Sequence, residues 1–132
     1  MDKRAVNPWN WQDGFSFSQA VDITGSRQTL FCAGQASING EGQPMHKDDM
    51  AAQLTLTLDN IETILRKADY DWTHIVRLTV YTTDFDGLFQ HYQILSAKLE
   101  TVSPKPVINM LGVSRLVFPE LLVEIEATAM KF

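Results

Sequence analysis

The sequence predicts an α+β two-layer sandwich with the element order β-β-α-β-α-β-β. Three observations carry that expectation. From Leu121 to Met130 the residues alternate strictly. Leu121, Val123, Ile125, Ala127 and Ala129 fall on one side, and Leu122, Glu124, Glu126, Thr128 and Met130 on the other. That is the period of two that a strand imposes. Met50, Leu54, Leu58, Ile61 and Leu65 recur instead at helical spacing, enough for an amphipathic helix of about five turns. Finally, two helical stretches link three consecutive strand patterns, and right-handed crossovers lay both helices on one sheet face.

The other sheet face has no helix left to cover it. It would carry Arg77, Thr79, Tyr81, Leu122, Glu124 and Met130. Such a mixture is too apolar for open water and too charged for a core, so self-association is expected.

Taken in order, residues 1–14 are polar, with Pro8 and Gly14, and are expected to form an irregular arm. Trp9 and Trp11 within it are too large to stay in water, and should fold back on the domain or on a neighbour. Phe15 to Val21 alternates weakly and reads as a strand. Asp22 to Arg27 contains Thr24-Gly25-Ser26, a turn. Thr29 to Ala33 is a short strand ended by Gly34, and Asn39-Gly40-Glu41-Gly42 is a loop or hairpin turn. The helix on Met50 to Leu65 follows, with Asp48 or Asp49 as its N-cap. Ile75 to Thr82 is a strand with Val76, Leu78 and Val80 on one side and Arg77, Thr79 and Tyr81 on the other. Asp84 caps a second helix whose stripe is Phe85, Leu88, Phe89, Tyr92, Leu95 and Leu99, stopped by Ser103-Pro104-Lys105-Pro106. A strand near Val107 to Val113, a loop at Leu116 to Glu120 and the final strand complete the chain.

The 132 residues fit one domain. A net charge of −5, with basic residues scattered along the chain, argues against a nucleic-acid partner, whose phosphates need clustered Lys and Arg. Cys32 is the one cysteine, so no intramolecular disulfide can form. The N-terminus lacks the apolar stretch of a signal peptide, and no apolar run approaches the ~20 residues needed to span a bilayer. A cytoplasmic protein with no membrane association is the expectation. His46, His74 and His91 lie far apart, without metal-ligand spacing, and Gly34, Gly40 and Gly42 do not make a phosphate loop.

Several segments resemble the Rid (RidA/YjgF) family. They are Ser18-Gln19-Ala20-Val21, Cys32-Ala33-Gly34-Gln35, the helix segment Gln53 to Ile61, Ile75 to Tyr81, and Gly112-Val113-Ser114-Arg115-Leu116. The ending Val123-Glu124-Ile125-Glu126-Ala127-Thr128-Ala129 is the nearest match. The resemblance covers about residues 15–130. It implies a chorismate-mutase-like fold and a homotrimer with small-molecule clefts between subunits. The activity it implies is hydrolysis of enamines and imines, such as 2-aminoacrylate and 2-iminobutanoate, to 2-keto acids and ammonia, with no metal or organic cofactor.

Residue by residue, the resemblance carries over only in part. The family arginine that grips the substrate carboxylate lies seven residues before Arg115, which here is Ile108. No aliphatic side chain replaces a bidentate guanidinium. The family cysteine falls on Met110, its tyrosine on Phe17, and the asparagine of its second helix on Phe89. Ala33 stands for the serine of the Ser-Gly-Gln motif, while Gly34 and the acidic Glu124 survive. The implied cleft, lined by Phe17, Phe89, Ile108 and Met110, should prefer a neutral or aromatic ligand. Losing charge-assisted bonds of roughly 1.5–3 kcal/mol each weakens a small anion at least about tenfold per bond.

Each of these residues also has a plainer reading. Glu124 either orients a water for attack on a C=N carbon or is a solvated strand carboxylate. Glu126 reads as structural, a partner for Arg77 or Arg115. Arg115 could bind an anion but sits outside the usual anchor position. Cys32 reads as a small buried hydrophobe, since a nucleophile needs a nearby base. His91 reads as a surface helix residue, and Trp9 and Trp11 either cover the cleft or simply pack. Three functions compete: an imine or enamine hydrolase, a non-catalytic ligand-binding or protein-interaction member of the same scaffold, and a ribonuclease or translation inhibitor, which the charge disfavours.

Overall fold

The computed structural model describes residues 2–132. In chain order the elements are β1 (Asp2–Val6), a 3-10 turn at Trp11–Phe15, β2 (Ala20–Thr24), β3 (Gln28–Ala36), α1 (Met50–Lys67), a 3-10 turn at Trp72–His74, β4 (Ile75–Thr82), α2 (Phe85–Gln90), α3 (Tyr92–Lys98), β5 (Val107–Gly112) and β6 (Val123–Lys131). The main sheet has the spatial order β3-β6-β4-β5. β6 runs antiparallel to both neighbours, and β4 and β5 are parallel.

The last strand in sequence is thus an inner strand in space, which is why its alternation is so clean. Leu121, Val123, Ile125, Ala127 and Ala129 are all buried, whereas Leu122, Glu124, Glu126, Thr128 and Met130 are partly exposed. Helix α1 covers the apolar face with Leu54, Leu58, Ile61 and Leu65, none of which reaches solvent. Each such side chain contributes roughly 1.5–3 kcal/mol by leaving water. Asp49 starts the helix, its side chain accepting from Ala52 N at 3.0 Å. Asp84 does the same for α2, accepting from Gly87 N at 3.0 Å.

The second helix is broken where one continuous helix was expected. His91, at φ −120° and ψ 17°, separates α2 from α3. The buried stripe of Leu88, Tyr92, Leu95 and Leu99 runs through the break, so hydrophobic spacing carries no trace of it.

Residues 2–14 also depart from the irregular arm expected over 1–14. Asp2–Val6 pairs antiparallel with Ala20–Thr24 in a separate two-stranded sheet. The strand predicted at Phe15 to Val21 lies later, at Ala20–Thr24, and takes in half of the predicted turn. The reason is polar pairing that hydropathy cannot register: Arg4 Nη2 meets Asp22 Oδ2 at 2.9 Å, and Lys3 Nζ donates to Thr73 O at 2.8 Å.

Two strand bulges shape the uncovered face. On β4, Ile75 faces Ala129 and Arg77 faces Thr128, which leaves Val76 as the extra residue. Val76 was expected in the core beside Leu78 and Val80. It lines an outer cleft instead, because a bulge shifts the side-chain phase by one. On β3 the register slips once between Cys32 and Gln35. Cys32, still in register opposite Ala127, joins the core, and within the slip Gly34 comes up against Glu124 on the outer face.

Buried Gln53 ties α1 to the loop before β6. Its Nε2 donates to His46 O at 3.1 Å and Glu120 O at 2.9 Å, and its Oε1 accepts from Leu122 N at 2.8 Å. No helix among the described residues is long and apolar enough to cross a membrane.

Candidate functional site

The sequence-predicted site residues fall in separate places on the chain. Glu124 and Gly34 meet at the far end of the outer face. Glu124 lies opposite Ala36 on β3 and Tyr81 on β4. Its carboxylate stands where a side chain on Gly34 would be: a Cβ there would lie 2.7 Å from Glu124 Cδ and 3.0 Å from Cγ. Ala33 is exposed at the bulge, its carbonyl accepting from Gln35 Nε2 at 3.2 Å. Partial burial holds the Glu124 pKa above the ordinary carboxylate value, and the neighbouring Glu126 carboxylate adds to the rise.

Glu126 does not pair with Arg77 or Arg115 among the described residues. Tyr81 Oη donates to Glu126 Oε1 at 2.8 Å instead. That bond, then burial and the charges of Glu126 and Glu124, raise the Tyr81 pKa, so Tyr81 stays a hydroxyl donor. The period-two pattern places Tyr81 and Glu126 on one face, but their cross-strand register comes only with the fold.

Phe17 and Ile108 meet in a second place, a cleft of about 590 Å³ between the N-terminal hairpin and the outer face. Trp11 and Phe17 contact edge to face, ring centroids 5.8 Å apart. Trp11 thus borders the cleft, although it and Trp9 are each 60% exposed on this chain. Ile108 lies opposite Leu78, is only 9% exposed and belongs to the core cluster, so it reaches the cleft from the buried side of β5. Among the described residues, Arg77 is the only charged one lining this cleft.

The other predicted residues stand apart. Met110 is partly buried against the core cluster. Phe89 is 47% exposed in an aromatic row with Phe85 at 5.8 Å and Tyr92 at 6.3 Å. Tyr92 is anchored by donating from Oη to Phe15 O at 2.6 Å, and burial pushes its pKa up to about 12. Arg115 is exposed in the loop after β5, its Nε donating to Leu116 O at 3.3 Å. His91 lies at the helix break, and Cys32 is buried with its thiol pKa raised by that burial, so it stays protonated.

Arg77 and Glu124 are well separated on one chain. Glu124 lies opposite Tyr81, four residues along β4 from Arg77, about 13 Å at the rise of a strand.

Comparison with known proteins gives a consistent picture. The family model described as Endoribonuclease L-PSP matches residues 13–131. A Rid-family protein of unknown function from Yersinia pestis superposes with a TM-score of 0.88 at 34% identity, covering 98% of this chain and 99% of that one. A RutC family protein of Aquifex aeolicus is 32% identical over 115 residues, 87% of this chain and 88% of its own length. A shorter match, 31% identical, joins 52% of this chain to protein DfrA of Myxococcus xanthus, and spans about half of that relative, 51%.

Proposed function

This chain belongs to the Rid/YjgF family, matched here by the Endoribonuclease L-PSP model, and on that premise we propose that it binds a small molecule in a cleft between subunits of a homotrimer and hydrolyses an imine or enamine there. The observation that carries the reading is the Glu124 carboxylate in the slot left open by Gly34, on a sheet face without helices. In its ionised form Glu124 takes a proton from a water, whose oxygen adds to the C=N carbon. The nitrogen gains a proton, and the carbinolamine collapses to a carbonyl compound and ammonia. A carboxylate with a raised pKa is the stronger base for the first step. No metal or organic cofactor takes part in this scheme.

The distance between the Phe17–Ile108 cleft and Glu124 supports a shared site. One subunit would supply the cleft wall with Phe17 and Ile108, while its Phe89, Met110 and Arg115 stand outside that lining. The neighbour would supply Gly34 and Glu124. Ile108 in place of the family arginine makes 2-aminoacrylate and 2-iminobutanoate poor substrates.

The test couples an amino-acid oxidase, which generates the imine, to a trapping amine that competes for it. Turnover of imines with bulky apolar side chains is expected, slow turnover of the two small ones, and none in Glu124→Gln. A trimer that hydrolyses no imine would leave a non-catalytic binding protein. Sedimentation showing a stable monomer at micromolar concentration would remove the shared cleft. The name of the family model points to a ribonuclease, a reading that the net charge of −5 weighs against. RNA binding across a salt series tests it.

A further inference from the structure

We propose that the cleft between the N-terminal hairpin and the sheet binds aromatic carboxylates, with Arg77 as the anion anchor. The inference deepens the ligand-cleft reading above and rests on it. The lining combines two aromatic rings, Trp11 and Phe17, with Val76, Met130 and other aliphatic side chains. A body with a planar apolar surface gains most there by leaving water. At about 590 Å³ the space lies within the usual range for small-molecule sites, and an acid as small as 2-aminoacrylate would leave most of its apolar wall uncovered.

Charge selects the other end of the ligand. Among the described residues Arg77 is the one charged residue of the lining, and it makes no ion pair and no side-chain hydrogen bond. Glu126, which lines a neighbouring hollow together with Arg77, accepts from Tyr81 instead. A guanidinium with free donors, beside an apolar wall, meets a carboxylate bidentately. Arg77 faces Val107 on β5, one residue before Ile108 in sequence and on the outer face instead of the core side. The anchor lost at Ile108 is thereby replaced from the adjacent strand, in a position that suits a longer acid.

Isothermal titration with three probes tests the assignment. Phenylacetate has both the ring and the charge, phenylacetamide the ring alone, and acetate the charge alone. Phenylacetate is expected to bind at least tenfold more tightly than either of the others. Arg77→Gln should reduce phenylacetate to the affinity of phenylacetamide, and because Arg77 is exposed the fold should survive the change. Equal affinity for phenylacetate and phenylacetamide in the unmodified protein would overturn the proposal, as would an unchanged preference in Arg77→Gln, or its loss in Arg115→Gln alone. Imine hydrolysis by the unmodified protein, measured beside acid binding, separates the two readings. If phenylacetate binds through Arg77 but no imine is hydrolysed, the catalytic reading falls and the anchor stands. If imines are hydrolysed and Arg77→Gln changes neither acid binding nor KM, the anchor falls and the catalytic reading stands.

Discussion

Gly34 and Glu124 are complementary in shape: the Glu124 carboxyl group fills the space that any side chain at position 34 would take, with Cδ 2.7 Å from the point where a Cβ would stand. The β3 bulge produces this relationship, because one extra residue brings Gly34 onto the outer face above β6.

Gly34→Ala is therefore expected to displace the Glu124 carboxylate while sparing the fold. The clash is with the end of a flexible side chain rather than with backbone. Imine hydrolysis should fall at least tenfold, and the melting temperature should stay within a few degrees. Full activity in this variant would show that the carboxylate position does not matter.

Glu124→Gln should gain in relative stability as pH rises. Burial and the Glu126 charge raise the folded-state pKa of Glu124 above its unfolded value. The stability that goes with this shift is fully present below the unfolded pKa and is lost as pH rises through the folded one. The amide never ionises and escapes that loss. Melting temperatures across a pH series should therefore converge in acid and diverge in favour of the variant toward neutrality. The opposite trend would mean that a cation stabilises the carboxylate in the assembled protein.

Ile108→Arg should destabilise the free protein by about 3 kcal/mol, because it drives a guanidinium into a position that is 9% exposed and within the core cluster. A carboxylate ligand that reaches the residue from the cleft should restore part of this loss by binding only the folded state. Thermal melts with and without a keto acid measure both effects. No ligand-dependent shift would place position 108 in the core alone.

Gln53→Ala removes three hydrogen bonds at once and leaves His46 O, Glu120 O and Leu122 N without this partner. A loss of about 3 kcal/mol in denaturant unfolding is expected. The loop before β6 should also exchange its amide hydrogens faster. A change below 1 kcal/mol would show that water replaces the amide.

Sequence patterns revealed the parts of the fold whose burial is periodic. β6 and α1 were legible because each buries one face, and the caps at Asp49 and Asp84 were legible because carboxylates satisfy free helix amides. β1 was not, since polar pairs such as Arg4–Asp22 hold it and leave no hydrophobic trace. The bulges at Val76 and Ala33–Gly34 were equally invisible. A bulge depends on register against a strand about 50 or 90 residues away, and no local window contains that register. The same limit applies to the candidate site. Alternation placed Glu124 and Tyr81 on one face, but nothing local showed that Phe17 would close over β5, or that Arg77 would border the same cleft as Ile108.

The N-terminal hairpin separates recognition from framework. It is tied to the main sheet partly by polar contacts such as Lys3 to Thr73 O and Ser18 N to Pro106 O. Trp11, Gln19, Val21 and Ile23, which it presents to the cleft, lie outside the core cluster. Selection can therefore rewrite the entrance in small steps while inheriting the sheet unchanged. A library randomised at these four positions alone should yield mostly folded proteins whose ligand preferences diverge, which makes this segment the natural place to retarget the scaffold.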